Sequence, residues 1–272
     1  MIGGSLARDL SERGVQVLGF DQDVETLAAA CRAGVVSRVL DEDAANDPPE
    51  IVVLAVPVTA AAAVMRRFGW ACRQAALVTD VGSTKVAVQV IAEQEGLMRT
   101  FVGAHPLAGD HRSGWPASRA GRFAAARVYL CAGEATDRSA IARAASFWSA
   151  LGAVPEFTSA QVHDNLLAWS SHLPQFVSCA LATALCEAGV HRSALGPGGR
   201  DATRLAGSSP DVWTAIAEEN QVPLTRALEA VEASLRAIRA AVQARDSEGV
   251  RAYLEISQQW FEAAPSDSKS SN

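Results

Sequence analysis

Met1-Ile2-Gly3-Gly4-Ser5-Leu6-Ala7 reads as the end of a G-x-G-x-x-G turn and the first turn of the helix behind it. Glycine at such a turn lets the backbone approach a pyrophosphate, and the free N–H groups of the helix start attract its charge. Outward from there, the apolar run Val15-Gln16-Val17-Leu18-Gly19-Phe20 ends in Asp21. That suits a second strand presenting a carboxylate to a ribose 2′-hydroxyl, which favours NAD, although Gln22 adds no charge against NADP. The strand and leading glycines that normally open this motif lie outside the sequence. The expectation is a start codon assigned too late, with a truncated product as the alternative.

The rhythm continues as a βαβ alternation. A helix is expected from Gly4 to about Arg13, a strand at Val15 to Phe20 and a helix near Val24 to Ala33. Next come a strand Ile51 to Val56 closed by Pro57, a helix from about Thr59 to Arg67 and a strand Ala76 to Asp80. Strands near Phe101 to Gly103 and Val128 to Cys131 complete a Rossmann-like, doubly wound, mostly parallel sheet that lacks its first strand. Ligands bind such α/β sheets at the carboxyl ends of the strands. Asp21, Val56, Pro57 and Asp80 occupy such ends and join Ile2 and Gly3 as candidate cofactor residues.

Strand signals fade from about Phe157. Helical stretches follow at Gln161 to Ala188, Asp211 to Glu219, Val222 to Gln243 and Ser247 to Ala263. The expected division is therefore a nucleotide-binding domain at 1–156, an all-helical domain at 157–264 and a polar, disordered tail at 265–272. Leu166, Leu167, Trp169, Phe176, Val177, Leu181 and Leu185 spread apolar surface around much of a helix. A dimer interface or a broad intrachain core accounts for that spread.

Composition narrows the function. The 272 residues are 49% hydrophobic and 20% charged, as a globular enzyme requires, and a net charge of −6 supplies no basic field for nucleic acid. Five cysteines without a C-x-x-C pair argue for reduced thiols in a cytoplasmic protein. No apolar run reaches the roughly 18 residues of a membrane span. Of the 24 basic residues only Lys85 and Lys269 are lysines, and Lys269 falls in the tail, so any chemistry that needs a buried lysine rests on Lys85.

In Gly103-Ala104-His105-Pro106-Leu107-Ala108-Gly109 a histidine follows a strand end where a nicotinamide is expected. Oxidising an alcohol needs a base near neutral pH, and imidazole meets that need. Asp80-Val81-Gly82-Ser83-Thr84-Lys85 puts a hydroxyl at a helix start, where Ser83 either caps the helix or contacts substrate. Ser171-His172-Leu173-Pro174-Gln175 interrupts an apolar helix with polar groups. Arg200 and Arg204 stand four apart in Gly198-Gly199-Arg200-Asp201-Ala202-Thr203-Arg204, as surface ion pairs or, with Trp213 nearby, as a carboxylate pocket. No spacing among His105, His111, His163, His172 and His191 supports a metal site.

These segments, with Ser209-Pro210-Asp211-Val212-Trp213, resemble the prephenate/arogenate dehydrogenase family of tyrosine biosynthesis, in order along nearly the whole chain. The resemblance implies a Rossmann domain, a helical dimerisation domain, NAD as cofactor and a homodimer. It implies that His105 accepts or polarises the ring 4-hydroxyl, Ser83 helps to place it, and Arg204, assisted by Arg200, binds a substrate carboxylate. Gln175, His172 and Trp213 are the remaining candidate substrate contacts. The implied reaction is NAD-dependent oxidative decarboxylation of prephenate to 4-hydroxyphenylpyruvate. Arogenate oxidation to tyrosine and a non-catalytic helical dimer are the alternatives. Besides the absent first strand, two positions depart from the family pattern. Gln175 stands where many prephenate-using relatives read His-Leu-Pro-His, and a neutral amide suits the amino-bearing side chain of arogenate. His111 stands where relatives often carry glutamate. Inhibition by tyrosine is not carried over.

Overall fold

Each central strand shows its apolar residues to two faces, and this decides the layering. The computed structural model describes residues 1–109, 112 and 114–263; His111 and the tail expected at 265–272 lie outside them. The first half runs α1 (Ile2–Glu12), β1 (Leu18–Gly19), α2 (Val24–Arg32), β2 (Arg38–Val39), β3 (Ile51–Leu54), α3 (Val58–Arg67) and α4 (Gly69–Gln74). It continues with β4 (Leu77–Asp80), α5 (Val86–Gln94), β5 (Phe101–Pro106), β6 (Arg127–Ala132), α6 (Arg138–Ala150) and β7 (Val154–Thr158). In β4, Leu77 packs with Leu6, Phe123 and Trp148 on one side. Its neighbour Val78 packs with Met65, Phe68 and Phe101 on the other. Successive side chains point to opposite faces of a strand, so helices cover both faces of the sheet.

The sheet order is β3-β4-β5-β6-β7, parallel except where β6 runs against β5. Two features differ from expectation. β1 is two residues long, shorter than Val15 to Phe20, and pairs only with β2 in a separate two-stranded sheet. Among the described residues no strand lies between that pair and β3, so the ladder expected to be continuous is in two pieces. The second feature is β7, whose parallel pairing with β6 carries the sheet to Thr158, just past the expected boundary.

The helical part comprises α7 (Ala160–Leu167), α8 (Leu173–Glu187), α9 (Pro197–Ala202), α10 (Pro210–Glu219), α11 (Gln221–Gln243) and α12 (Ser247–Glu262). The stretch expected as one helix from Gln161 to Ala188 is interrupted by a π-helical turn at Ala168–His172. Pro174 explains the break: it brings no N–H, so it is tolerated only in the first turn of a helix, where α8 begins. Chain contacts gather the described residues into two compact units, Met1–Leu224 and Thr225–Asn272, the second extending into the undescribed tail. Helices α7 to α10 thus belong with the sheet, to which α7 is hydrogen-bonded through its polar side chains.

Candidate active site

β4 and β5 lie side by side, and their carboxyl ends bring Asp80, Ser83, Lys85 and His105 into one region. Asp80 Oδ1 accepts Ala104 N–H at 3.0 Å, and its Oδ2 accepts Gly82 N–H at 2.8 Å and pairs with Lys85 Nζ. Lys85 Nζ also donates to the Ala104 carbonyl at 2.8 Å. This buried lysine therefore ties the turn after β4 to the backbone immediately before His105. Both Asp80 oxygens are committed inside the fold.

Ser83 does not cap α5. Asp164, from α7, does so instead: Oδ1 accepts Lys85 N–H and Oδ2 accepts Val86 N–H, each at 2.8 Å. A cap brought from another element leaves the Ser83 hydroxyl without a hydrogen bond among the described residues, available to a ligand.

His105 lies half-buried at the end of β5, opposite Tyr129 of β6. Its Nδ1 is 2.9 Å from His163 Nε2, and His163 Nδ1 is 2.7 Å from Asp164 Oδ1. The Tyr129 ring stands edge-on to His163 with centroids 5.3 Å apart. Burial, reinforced by His163, Lys85 and His172, holds the His105 pKa well below 6.5. The imidazole is then neutral at physiological pH, as a base must be before it takes a proton.

His172 is buried, its Nδ1 accepting from Asn220 Nδ2 at 3.0 Å while the same amide donates to the Asp164 carbonyl at 2.8 Å. Burial lowers its pKa to about 4. Its ring stands edge-on to Trp213, centroids 6.0 Å apart. Trp213, Gln175, Phe176 and Cys179 line an adjoining cavity of about 460 Å³. Gln175 is 2% exposed and bonded within the fold: Nε2 donates to the Leu205 carbonyl at 2.8 Å, and Oε1 accepts from Ser208 at 3.3 Å.

The two arginines do not share a helical face as expected. α9 ends at Ala202, and Arg204 starts a separate 3₁₀ turn, Arg204–Gly207. Both are exposed, and neither forms an ion pair with a described residue. The Gln175 bond to Leu205 anchors the Arg204 turn to α8. No direct contact joins Arg204 to His105 among the described residues.

The features expected to meet a dinucleotide fit one. The first helical bond of α1 is Ser5 N–H to the Met1 carbonyl, so the N–H groups of Ile2, Gly3 and Gly4 precede the ladder and remain for a phosphate. Gly3 lies so close to Ala55 that an added Cβ would come within 2.6 Å of the Ala55 Cβ. Only glycine lets this helix start meet the end of β3, which leads into Val56 and Pro57. Asp21 is exposed just past β1, one oxygen accepting Asp23 N–H at 2.9 Å and the other uncommitted among the described residues. Among the described residues, no group of three acidic, histidine or cysteine side chains is placed to hold a metal.

Sequence reasoning missed His163, Asp164, Asn220 and Tyr129 as parts of this site. The adjacent His163-Asp164 pair, on the helix face that also carries Ala160 and Leu167, was the available signal, since two polar groups on buried positions require partners.

A two-sided sheet, a glycine helix start facing its strand ends and a histidine closing a central strand define the class of Rossmann-like dehydrogenases. Residues 6–156 match the family described as prephenate dehydrogenase, nucleotide-binding domain, and residues 159–256 match prephenate dehydrogenase, dimerization domain. The chain belongs to the prephenate dehydrogenase family. It is 29% identical over 275 residues to a prephenate dehydrogenase of Bacillus subtilis (strain 168), covering 97% of this chain and 74% of that protein. It resembles the crystal structure of Aquifex aeolicus prephenate dehydrogenase in complex with hydroxyphenyl propionate and NAD+ with a TM-score of 0.86, at 28% identity and 96% and 94% coverage. It resembles the Synechocystis arogenate dehydrogenase structure with a TM-score of 0.79, at 26% identity and 96% and 95% coverage.

Proposed function

We propose that this chain is an NAD-dependent dehydrogenase that converts prephenate to 4-hydroxyphenylpyruvate in tyrosine biosynthesis. The observation that carries the reading is a neutral, partly buried imidazole, His105, at the carboxyl end of β5 in a chain of this family. Ile2 and Gly3 at the start of α1, Asp21, and Val56 and Pro57 after β3 hold the dinucleotide, which supplies the hydride acceptor when bound. Asp80 serves that site indirectly, by shaping the turn beside it.

Ser83 donates to or accepts from the ring 4-hydroxyl and fixes its direction. His105 removes the hydroxyl proton as the carbon beneath is oxidised. The resulting ketone makes the ring carboxylate labile, and loss of CO2 aromatises the ring, which makes the step effectively irreversible. Arg204, assisted by Arg200, neutralises a substrate carboxylate; exposed guanidinium groups without an ion-pair partner among the described residues suit that task. His172 and Trp213 shape the wall beside it.

Arogenate is the second reading, supported by similarity to the Synechocystis arogenate dehydrogenase. Functionally, residues 1–156 serve the cofactor and residues 157–264 serve substrate and self-association. A homodimer is supported by the dimerization-domain match and by exposed apolar residues of α7, α8 and the turn between them, Val162, Leu166, Trp169 and Leu181. Cytoplasmic residence is supported by five free cysteines, and no described helix is long and apolar enough to cross a membrane.

The test follows NADH formation with prephenate and arogenate in parallel, and with NADP+ as a cofactor control. Turnover of prephenate is expected. Turnover of arogenate alone would move the assignment to the second reading. Absence of turnover with either, in a folded dimer, would favour a non-catalytic role.

A further inference from the structure

Asp164 does two jobs, and the first determines the second. Its two oxygens accept the backbone N–H groups of Lys85 and Val86, donors that cannot change role, so the α5 start demands an acceptor at both oxygens. His163 Nδ1, 2.7 Å from Oδ1, therefore carries a proton, and the tautomer assigned to His163 in this proposal places a lone pair on Nε2. His105 Nδ1 lies 2.9 Å from that lone pair and must donate to it. The remaining nitrogen of His105, Nε2, is left as a lone pair. A hydrogen bond to one ring nitrogen selects which of the two is free to act.

We propose that His163 and Asp164 are positioning residues that lock His105 in its Nδ1–H tautomer and keep Nε2 ready to take the substrate hydroxyl proton. The inference rests on the reading of His105 as the base. On proton transfer the hydroxyl O–H bond breaks, an N–H bond forms at Nε2, and Nδ1–H stays bonded to His163. The positive charge so formed meets a lone pair backed by a carboxylate. His163 and Asp164 are 0% and 1% exposed, so water cannot substitute for either. Other titratable groups facing the pair are Lys85 before α5, His172 of the π turn, Tyr129 and Cys131 of β6 and Glu219 of α10.

The test is a two-bond ¹H–¹⁵N correlation spectrum of the full ¹⁵N-labelled chain, with the His105 signals identified by their loss in H105N. His105 is expected in the Nδ1–H form. In H163F, which keeps a ring against Tyr129 but offers no acceptor, His105 should shift toward the Nε2–H form. Its kcat should fall roughly 10- to 100-fold while KM stays within about twofold. H163Q, whose amide can accept from His105 and donate to Asp164, should recover part of the lost turnover and the original tautomer. Circular dichroism establishes that each variant is folded. An Nε2–H form of His105 in the unaltered protein, or an unchanged tautomer in folded H163F, overturns the proposal. The spectrum needs no turnover, so loss of the prephenate reading would leave this result standing by itself.

Discussion

Lys85 and Asp80 form an ion pair sealed from solvent, with side chains 0% and 3% exposed. Water cannot compensate either charge at that depth, so each depends on the other and on the bonds around it. The pair holds the turn after β4 against the Ala104 carbonyl, one residue before His105. It also explains the single described lysine: a long, flexible stem reaches from the α5 start to the neighbouring strand, a span the short residues around it cannot cover.

K85M should therefore cost about 3–5 kcal/mol, since Asp80 is left charged and buried without its partner. The double variant D80N/K85M should cost less than the sum of the two single changes, because the orphaned charge is gone. Urea unfolding midpoints of the four proteins measure this. Additive losses would mean that the pair contributes no coupling.

Removing the Lys85 charge should also raise the His105 pKa, because that charge is one of the influences lowering it. The acid limb of kcat/KM then moves toward neutral pH in folded K85M. An unmoved or more acidic limb would show that another group sets the limb.

H105N should lower kcat by about 10²–10⁴-fold, the usual contribution of a positioned base, with a small change in substrate affinity. R204A should instead act on KM, since the contact proposed for Arg204 is a charge–carboxylate pair made already in the ground state. Steady-state kinetics on both variants separate the roles. Equal losses in kcat and KM for both would leave neither assignment distinctive.

The central sheet was legible because Ile51-Val52-Val53-Leu54 and Leu77-Val78-Thr79-Asp80 are short apolar runs punctuated by proline or glycine. β7 was not, because Val154-Pro155-Glu156-Phe157-Thr158 carries a proline and a charge on an exposed edge, where burial imposes no pattern. α6 hid behind small residues, although Ala140, Ala144 and Trp148 repeat at helical spacing and are buried. His105 and Ser83 could be found from local motifs. The His105–His163 partnership could not, because it joins residues 58 positions apart whose adjacency exists only after α7 docks beside β5.

Acid should destabilise the protein before its carboxylates titrate. The folded pKa values of His105 and His172 lie below the ordinary 6.5, so above that pH both are neutral folded or unfolded and stability is unaffected. As pH falls below 6.5 the unfolded chain binds protons first, and stability declines until the folded pKa is reached. For His172, lowered to about 4, the full loss is roughly 3 kcal/mol. Glu219, raised above its ordinary 4.5 by burial, acts in the opposite sense: its contribution is favourable below 4.5 and is lost as pH rises through its folded value. Urea midpoints between pH 7.5 and pH 4.5 should fall, and H172Q should flatten the slope. A slope that H172Q leaves unaltered would assign the acid sensitivity elsewhere.

Gln175 offers the last separation, between selecting a substrate and holding the residue that does. Its amide lines the cavity, yet Nε2 is bonded to the Leu205 carbonyl and Oε1 to Ser208, so its immediate effect is on the turn that begins with Arg204. Q175A removes both bonds, while the part-buried Leu205 carbonyl keeps the Ser208 N–H, so the loss is about 0.5–1.5 kcal/mol in stability. The freed turn should raise KM for prephenate and arogenate by similar factors, because the proposed role of Arg204 is to bind a carboxylate that both substrates carry. If Gln175 instead meets the substrate side chain, the two KM values should diverge, with arogenate losing more. Parallel KM measurements on Q175A decide between these outcomes, and a rise confined to arogenate would return Gln175 to direct substrate contact.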